Sequence, residues 1–174
     1  EHITTKNAVQ YVEQAGNNLC ASITPHHLAL NRNALLVGGI KPHYYCLPVL
    51  KREEHRVSLV NAAISGNKKF FLGTDSAPHL IEDKLSSCGC AGVFNAKYCL
   101  SILAEIFDQN NAINLLERFT SLNGAKHYGV KTSCNKITLI KRDSPLILER
   151  FVNFNNCKIQ VFDPNFPIFW DVID

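Results

Sequence analysis

The sequence predicts an α/β fold with a parallel sheet, and three observations lead to this prediction. Strand-like and helix-like segments alternate along the chain. The strand-like segments 19–24 and 69–75 are apolar almost throughout, which is typical of parallel strands covered by helices on both faces. The chain has 174 residues, of which 46% are hydrophobic, and this suits one compact domain.

Composition excludes several classes of protein. The net charge is only +3, and no cluster of basic residues exceeds Lys51-Arg52, so there is no electrostatic case for nucleic-acid binding. No apolar run approaches the roughly 18 residues that span a bilayer.

The seven cysteines are an odd set, better interpreted as reduced thiols of a cytoplasmic protein than as a disulfide framework. Cys88-Gly89-Cys90 is spaced too tightly for the usual metal-binding pair.

The amino-terminal elements follow from short local signals. Residues 1–3 resemble the last residues of a strand. Thr4 or Thr5 can cap the helix that follows, because a hydroxyl accepts a hydrogen bond from the free amides of a first turn. Gly16 is placed to end that helix. The strand 19–24 comes next and stops at Pro25.

Two long connections separate the next elements. The stretch 26–45 is too long for an ordinary loop, which indicates a functional one. A helix is predicted to begin with Pro48 in its first turn and to close at Gly66. The strand 69–75 ends on the carboxylate of Asp75, and a second long loop covers 76–93.

The remainder of the chain predicts mostly helix. Helices are expected over 94–108 and 112–122, the second capped by Asn111. A short strand is expected at 137–140, and nothing is predicted from Phe151 onward. No repeat or linker divides the chain, so 1–174 is interpreted as one domain.

Candidate chemistry lies where α/β folds place it, past the carboxyl ends of strands. His2, the segment 24–27, and Asp75 with His79 occupy these positions. Imidazole nitrogens and carboxylate oxygens bind metals, and a carboxylate can also transfer protons. Taken singly, each residue has an ordinary alternative: His2, His26, His27 and His79 as loop or surface side chains, and Asp75 as a helix cap. No G-x-S-x-G motif supports a serine nucleophile.

Taken together, these segments resemble bacterial-type dihydroorotases of the amidohydrolase superfamily. The resemblance runs over 1–129, and the order and spacing of its motifs agree with the family. The motifs are Glu1-His2-Ile3-Thr4-Thr5-Lys6, Thr24-Pro25-His26, Asn31-Arg32-Asn33, Leu36-Val37-Gly38-Gly39, Lys41-Pro42-His43, Tyr45-Cys46-Leu47-Pro48, Leu50-Lys51-Arg52, Leu72-Gly73-Thr74-Asp75-Ser76-Ala77-Pro78-His79, Ser86-Ser87-Cys88-Gly89-Cys90-Ala91-Gly92, Asn123-Gly124 and Tyr128-Gly129.

The resemblance implies a fold, a reaction and a set of roles. The fold would be the carboxyl-terminal part of a TIM (β/α)8 barrel, about strands six to eight, with a helical and short-strand extension over 130–174. The reaction would be the reversible zinc-dependent cyclisation of N-carbamoyl-L-aspartate to L-dihydroorotate in pyrimidine biosynthesis. His2 and Asp75 would each bind one of two zinc ions, and Asp75 would act as general acid/base. His79 and the backbones of Leu47 and Ala91 would bind substrate.

The sequence also departs from the family. The His-x-His pair, the carbamylated lysine, a further zinc-binding histidine, and the arginine and asparagine that hold the carboxylate are absent from this sequence. We therefore expect the chain to act only with an amino-terminal half of the barrel, and the complete enzyme to be a homodimer. Alone, it should bind little zinc, show no activity, and expose the apolar faces of 19–23 and 70–72. Two alternatives stay open: a non-catalytic remnant that acts as an interaction partner, and another cyclic-amide hydrolase such as a hydantoinase or allantoinase.

Overall fold

The computed structural model describes residues 1–173, which form seven α-helices and six β-strands. The helices are α1 (Lys6–Gln14), α2 (Pro25–Ala29), α3 (Asn33–Leu36), α4 (Glu53–Ile64), α5 (Ile81–Lys84), α6 (Cys99–Gln109) and α7 (Asn123–Tyr128). The strands are β1 (Ala21–Ile23), β2 (Phe70–Leu72), β3 (Thr138–Lys141), β4 (Phe151–Phe154), β5 (Cys157–Gln160) and β6 (Trp170–Ile173). In this part of the chain no helix has the length and apolar character needed to cross a bilayer.

The predicted parallel sheet is present but short. β1 and β2 pair in parallel, with Ala21 opposite Phe70 and Ile23 opposite Leu72. Residues 1–3 are not a regular strand, although the Ile3 amide donates to the Ser22 carbonyl at 3.1 Å. The chain therefore lies beside β1 before α1 begins. The two strands and this flanking segment bring their carboxyl ends to one edge.

Helices cover the apolar faces of this sheet, so the expectation that 19–23 and 70–72 would meet water is wrong for most of these residues. Ile23 and Phe70 are fully buried, and Phe71 is nearly so. Side chains of α4, α6 and the segment Arg118–Leu122 form one core with Ile23 and Phe70. On β2, the side-chain amide of Asn123 donates to the Phe70 carbonyl at 2.9 Å. A side chain therefore provides a hydrogen bond to this strand carbonyl.

The first helix begins where its sequence signals predict. The Thr5 hydroxyl accepts from the Ala8 amide at 3.1 Å, which settles the choice between the two threonines. At the other end, the buried Lys69 ammonium donates to the carbonyls of Val12, Glu13 and Ala15. A cation stabilises a helix carboxyl end, where the carbonyls lack partners.

The helix predicted from Pro48 begins five residues later, at Glu53. Arg52 still has an extended backbone, with ψ of 162°, and the Leu47–Pro48 peptide bond is cis. Glu53 and Glu54 in the first turn favour this later start, because carboxylates interact well with a helix amino end. Gly66 follows the helix with φ of +70°, as a terminating glycine does.

The two predicted loops and the last predicted helix also differ from expectation. The stretch 26–45 contains α2, α3 and a 3₁₀ turn, and 76–93 contains α5. The span 112–122 is a 3₁₀ turn followed by a π-helical segment that leads into α7. Asn111 adopts φ of +56° and does not cap a helix.

The carboxyl-terminal region packs on the same core. β3 confirms the predicted strand at 137–140 and pairs with β6. β4 and β5 form a hairpin that sequence reasoning missed; its turn residues Asn155 and Asn156 both have positive φ, as type I′ turns require. The Phe162 amide donates to the Phe94 carbonyl at 2.8 Å.

Candidate functional site

His2 and Asp75 meet at the carboxyl edge of the parallel strands. The Nε2 atom of His2 lies 3.9 Å from Oδ1 of Asp75, and the side chains are 23% and 31% exposed. Both residues have positive φ, 51° and 44°. Such values are uncommon outside glycine and concentrate at functional sites. The two predicted metal ligands therefore share one partly open volume.

Ser22 and Gly73 fix the orientation of His2. The Ser22 hydroxyl accepts from the His2 amide at 2.9 Å and lies 3.4 Å from the imidazole Nδ1. This leaves Nε2 as the ring nitrogen that faces Asp75. A Cβ on Gly73 would lie 2.8 Å from the Ser22 Cβ and 3.1 Å from Cε1 of His2. The absence of a side chain at Gly73 thus allows the imidazole to lie against the sheet.

The backbone around Asp75 is held by the loop that leads into α6. The buried Asn95 amide donates to the Thr74 carbonyl at 2.8 Å. The Ser76 hydroxyl accepts from the Ala96 amide at 3.1 Å. Residues on both sides of Asp75 are consequently fixed by hydrogen bonds.

His79 and Ala91, both predicted to bind substrate, are in direct contact. The His79 Nε2 atom donates to the Ala91 carbonyl at 3.0 Å, which leaves Nδ1 for another partner. Gly92 has φ of +141°, and a Cβ there would lie 2.6 Å from the Ala77 Cβ and 2.9 Å from Nε2 of His79. Glycine is required here by both conformation and space.

Leu47 lies on a segment joined to the same loop. Its side chain is 58% exposed, and two residues earlier the Tyr45 carbonyl accepts from the Gly92 amide at 2.9 Å. Sequence reasoning missed Lys84, whose ammonium also reaches the Tyr45 carbonyl. In the sequence Lys84 follows Glu82 and Asp83, a pattern typical of an exposed helix face, so no local signal marks it.

The interpretation of His26 and His27 as simple loop residues is wrong. They lie in α2 and are 1% and 2% exposed. The His27 Nε2 atom donates to the Pro48 carbonyl at 2.7 Å, and its Nδ1 atom lies 2.6 Å from the Thr24 hydroxyl. Burial lowers the pKa of His27 to about 4. His27 is thus a neutral core residue that joins α2 to the segment before α4.

A second group of possible ligands lies nearby but does not suit a metal ion. The ligand atoms of His26, His27 and Cys46 lie within 4.8 Å of one another. Both His27 nitrogens already have partners. Burial raises the pKa of the Cys46 thiol to about 11, whereas metals bind the thiolate. His2 and Asp75 form the more suitable donor pair.

That pair fits part of a zinc site. Imidazole nitrogen and carboxylate oxygen are ordinary zinc ligands, and a hydroxyl on Nδ1 is the kind of outer contact that orients a ligating histidine. Zinc needs three or four ligands, and no third donor joins this pair in a metal-binding group within residues 1–173. A zinc site built on these two residues would therefore need further donors from outside this pair.

Comparison with known proteins shows extensive similarity to dihydroorotases. The chain is 54% identical over 174 residues to the dihydroorotase of Chelativorans sp. strain BNC1 and 52% identical over 172 residues to that of Agrobacterium fabrum. The matches cover 100% and 99% of this chain and 50% of each relative. The chain thus spans about half the length of these relatives. No family model matches the chain.

Solved structures give the same result. A dihydroorotase from Saccharomyces cerevisiae, crystallised with 5-fluoroorotic acid, superposes with a TM-score of 0.87 at 28% identity. A dihydroorotase from Campylobacter jejuni superposes with a TM-score of 0.85 at 32% identity. Each match covers 99% of this chain and 50% of the solved chain.

Proposed function

The chain belongs to the dihydroorotase family, matching its carboxyl-terminal half, and we propose that it supplies one half of a zinc-dependent dihydroorotase site. The observation that carries this proposal is the pairing of His2 with Asp75 at 3.9 Å. The adjoining contact between His79 and Ala91 supports a candidate carboxylate site on the next loop. The reaction is the reversible interconversion of N-carbamoyl-L-aspartate and L-dihydroorotate.

The proposed architecture is the part of a TIM barrel that carries strands six to eight. Residues 1–3, β1 and β2 correspond to these strands. The parallel pairing of β1 with β2 and the bond from Ile3 to Ser22 support this assignment. A complete barrel typically takes about 250 residues, so the remaining strands belong to the half of the relatives that this chain does not match.

His2 Nε2 and an Asp75 oxygen would each hold one of two neighbouring zinc ions, with the remaining ligands supplied by the other half. Bound zinc would supply Lewis-acid polarisation of the ring amide and lower the pKa of attacking water. His2 itself does no proton transfer in this scheme. Its role is to ligate, with its ring held by Ser22.

Asp75 would act as the general acid/base. In hydrolysis its carboxylate accepts a proton from the attacking water and gives it to the ring nitrogen that leaves when the amide bond breaks. In ring closure the same carboxylate first accepts the proton of the attacking nitrogen and then gives it to the carboxyl oxygen that leaves as water when the C–O bond breaks. Hydrogen bonds flank Asp75 on both sides, at the Thr74 carbonyl and at the Ser76 hydroxyl. They support this role because proton transfer needs a stable distance.

Substrate carboxylate would bind at the loop that carries His79 and Ala91. With Nε2 donating to the Ala91 carbonyl, the ring of His79 presents Nδ1, which in the protonated imidazole donates a charge-assisted hydrogen bond to a carboxylate. The backbones of Ala91 and Leu47 would complete the contacts. Leu47 is the exposed residue of the segment 45–48, which favours the approach of a ligand to its backbone.

The test joins this chain to the half that it lacks. In the joined protein, the amino-terminal half of the Chelativorans dihydroorotase is fused directly ahead of Glu1. We expect it to bind zinc and to hydrolyse L-dihydroorotate in preference to hydantoin or allantoin. A zinc-loaded joined protein that prefers hydantoin or allantoin, or that turns over none of the three, would overturn the proposal.

A further inference from the structure

Lys84 is a buried cation whose three donors are all used by backbone carbonyls. It ends α5 and is 4% exposed. Its Nζ atom donates to the carbonyls of Tyr45 at 2.8 Å, Cys90 at 2.7 Å and Gly92 at 2.8 Å. An ammonium group has three N–H donors, so its capacity is filled.

These carbonyls belong to the two segments that the proposed function assigns to substrate backbone contacts. Cys90 and Gly92 flank Ala91 on either side, and Tyr45 precedes Leu47 by two residues. The Gly92 amide also donates to the Tyr45 carbonyl. Lys84 and this bond thus join two segments that are far apart in sequence.

Burying the charged ammonium of Lys84 has a free-energy cost. Burial lowers the pKa of its ammonium, and no carboxylate within residues 1–173 forms an ion pair with it. Its partners are neutral carbonyls and the face of the Tyr45 ring, 5.7 Å away. Buried charges are normally paired with an opposite charge. Packing alone therefore does not explain why this ammonium group binds the carbonyls of two loops.

We propose that Lys84 is a positioning residue for substrate binding, which holds the backbones of 45–47 and 90–92 at a fixed separation. This inference rests on the proposed function. Lys84 would not touch the substrate itself. It would act through the main-chain groups of Leu47 and Ala91, and through the Ala91 carbonyl that anchors His79.

The chain offers a matched control in Lys69. It is also buried, 7% exposed, and it also donates to three carbonyls, those of Val12, Glu13 and Ala15. Those carbonyls end α1 and are remote in sequence from the loop 84–92. Substituting either lysine removes the same number of similar bonds, but only one substitution alters the candidate substrate loop.

The experiment compares Lys84→Met and Lys69→Met in the joined protein, since methionine has similar length and no donors. We expect both to lower the melting temperature. Only Lys84→Met should raise KM for L-dihydroorotate, by about tenfold or more, because small misplacements of binding groups have effects of this size. Zinc content and kcat should change much less. Hydrogen exchange at the Gly92 amide should accelerate in Lys84→Met alone.

Four outcomes would contradict the inference or its basis. A KM within about twofold of the unsubstituted value in Lys84→Met would overturn it, and so would an equal rise in Lys69→Met, since that indicates general destabilisation. If Lys84→Met does not fold, Lys84→Arg is tested in its place, because a planar guanidinium keeps the charge but cannot make the same three bonds. An unchanged KM in Lys84→Arg would then overturn the inference. A zinc-loaded unsubstituted protein without turnover would instead overturn the proposed function.

Discussion

The imidazole Nε2 of His2 lies 3.9 Å from a carboxylate oxygen of Asp75. His2 precedes α1, whereas Asp75 follows β2, so the two residues are far apart in sequence. Each is held by its neighbours: His2 by the Ser22 hydroxyl, and the backbone beside Asp75 by Asn95. Because parallel strands end at the same edge, residues just past their ends meet there. This pairing is the centre of the proposed two-zinc site.

Substitution of Asp75 by asparagine should abolish most turnover in the joined protein. General acid/base catalysis contributes about 10²–10⁴-fold, and an amide cannot accept the proton. Dihydroorotate hydrolysis and ring closure should fall by at least that factor in both directions, measured alongside zinc content. Glu82→Gln, which neutralises an exposed carboxylate on α5, should leave both rates unchanged. A loss below roughly tenfold in a fully zinc-loaded Asp75→Asn protein would exclude the proton-transfer role.

Substitution of His79 by alanine should weaken binding of ligands that carry a carboxylate. A hydrogen bond to a charged group contributes roughly 1.5–3 kcal/mol, so the affinity for dihydroorotate should fall by that amount. An otherwise similar cyclic amide without the carboxylate should lose much less. Calorimetric titration of both ligands measures the difference, and equal losses would show that His79 has only a structural role.

Substitution of Gly73 by alanine should displace His2. The added carbon would lie 2.8 Å from the Ser22 Cβ and 3.1 Å from the imidazole, and overpacking of this kind costs about 1–3 kcal/mol of stability. We expect weaker zinc binding, measured by competition with a chelator. Gly16→Ala is the matched control, because its added carbon meets only the Asn18 side-chain oxygen. Unchanged zinc affinity in Gly73→Ala would show that the imidazole position does not depend on this close approach.

His27 should make the stability of the joined protein fall with decreasing pH. Burial lowers its pKa from 6.5 to about 4 in the folded chain, so between these values the unfolded chain binds a proton that the folded chain does not. The contribution of His27 to the free energy of unfolding is present above pH 6.5 and is lost progressively as the pH falls towards 4. Between pH 7 and pH 5 the loss from His27 is about 2 kcal/mol.

His27→Gln tests this expectation because glutamine keeps an amide donor and does not titrate. Urea unfolding at pH 7 and pH 5 should show a smaller pH-dependent loss in the variant than in the unsubstituted protein. Contributions shared by both proteins cancel in this comparison. An identical loss in both would show that His27 titrates normally in the folded state.

The elements that the sequence predicted well depend on local chemistry. The Thr5 cap and the terminating Gly66 are short-range signals with a direct physical cause. The buried strands around Ile23 and Phe70 carry continuous apolar runs. Their parallel pairing follows from the helices between them, and it brings His2 and Asp75 to one edge.

The elements that the sequence did not predict depend on distant contacts. His26 and His27 form a polar pair beside a proline, and the contacts with Pro48 and Asn95 that help to bury them come from distant parts of the chain. The same holds for Lys84, whose carbonyl partners lie up to 39 residues away. No periodicity or spacing in the sequence specifies that a lysine will fold inward to join two loops.

The most direct test of the central proposal is zinc content and turnover of this chain with and without its complement. The chain alone and the chain mixed with the separate amino-terminal half of the Chelativorans dihydroorotase are incubated with zinc and bicarbonate. Metal content is then measured by mass spectrometry and L-dihydroorotate hydrolysis by absorbance. We expect little zinc and no turnover from the chain alone, and a gain of both in the mixture. Turnover by the chain alone, or a zinc-loaded complex without turnover, would contradict the proposal that this chain supplies one half of a dihydroorotase site.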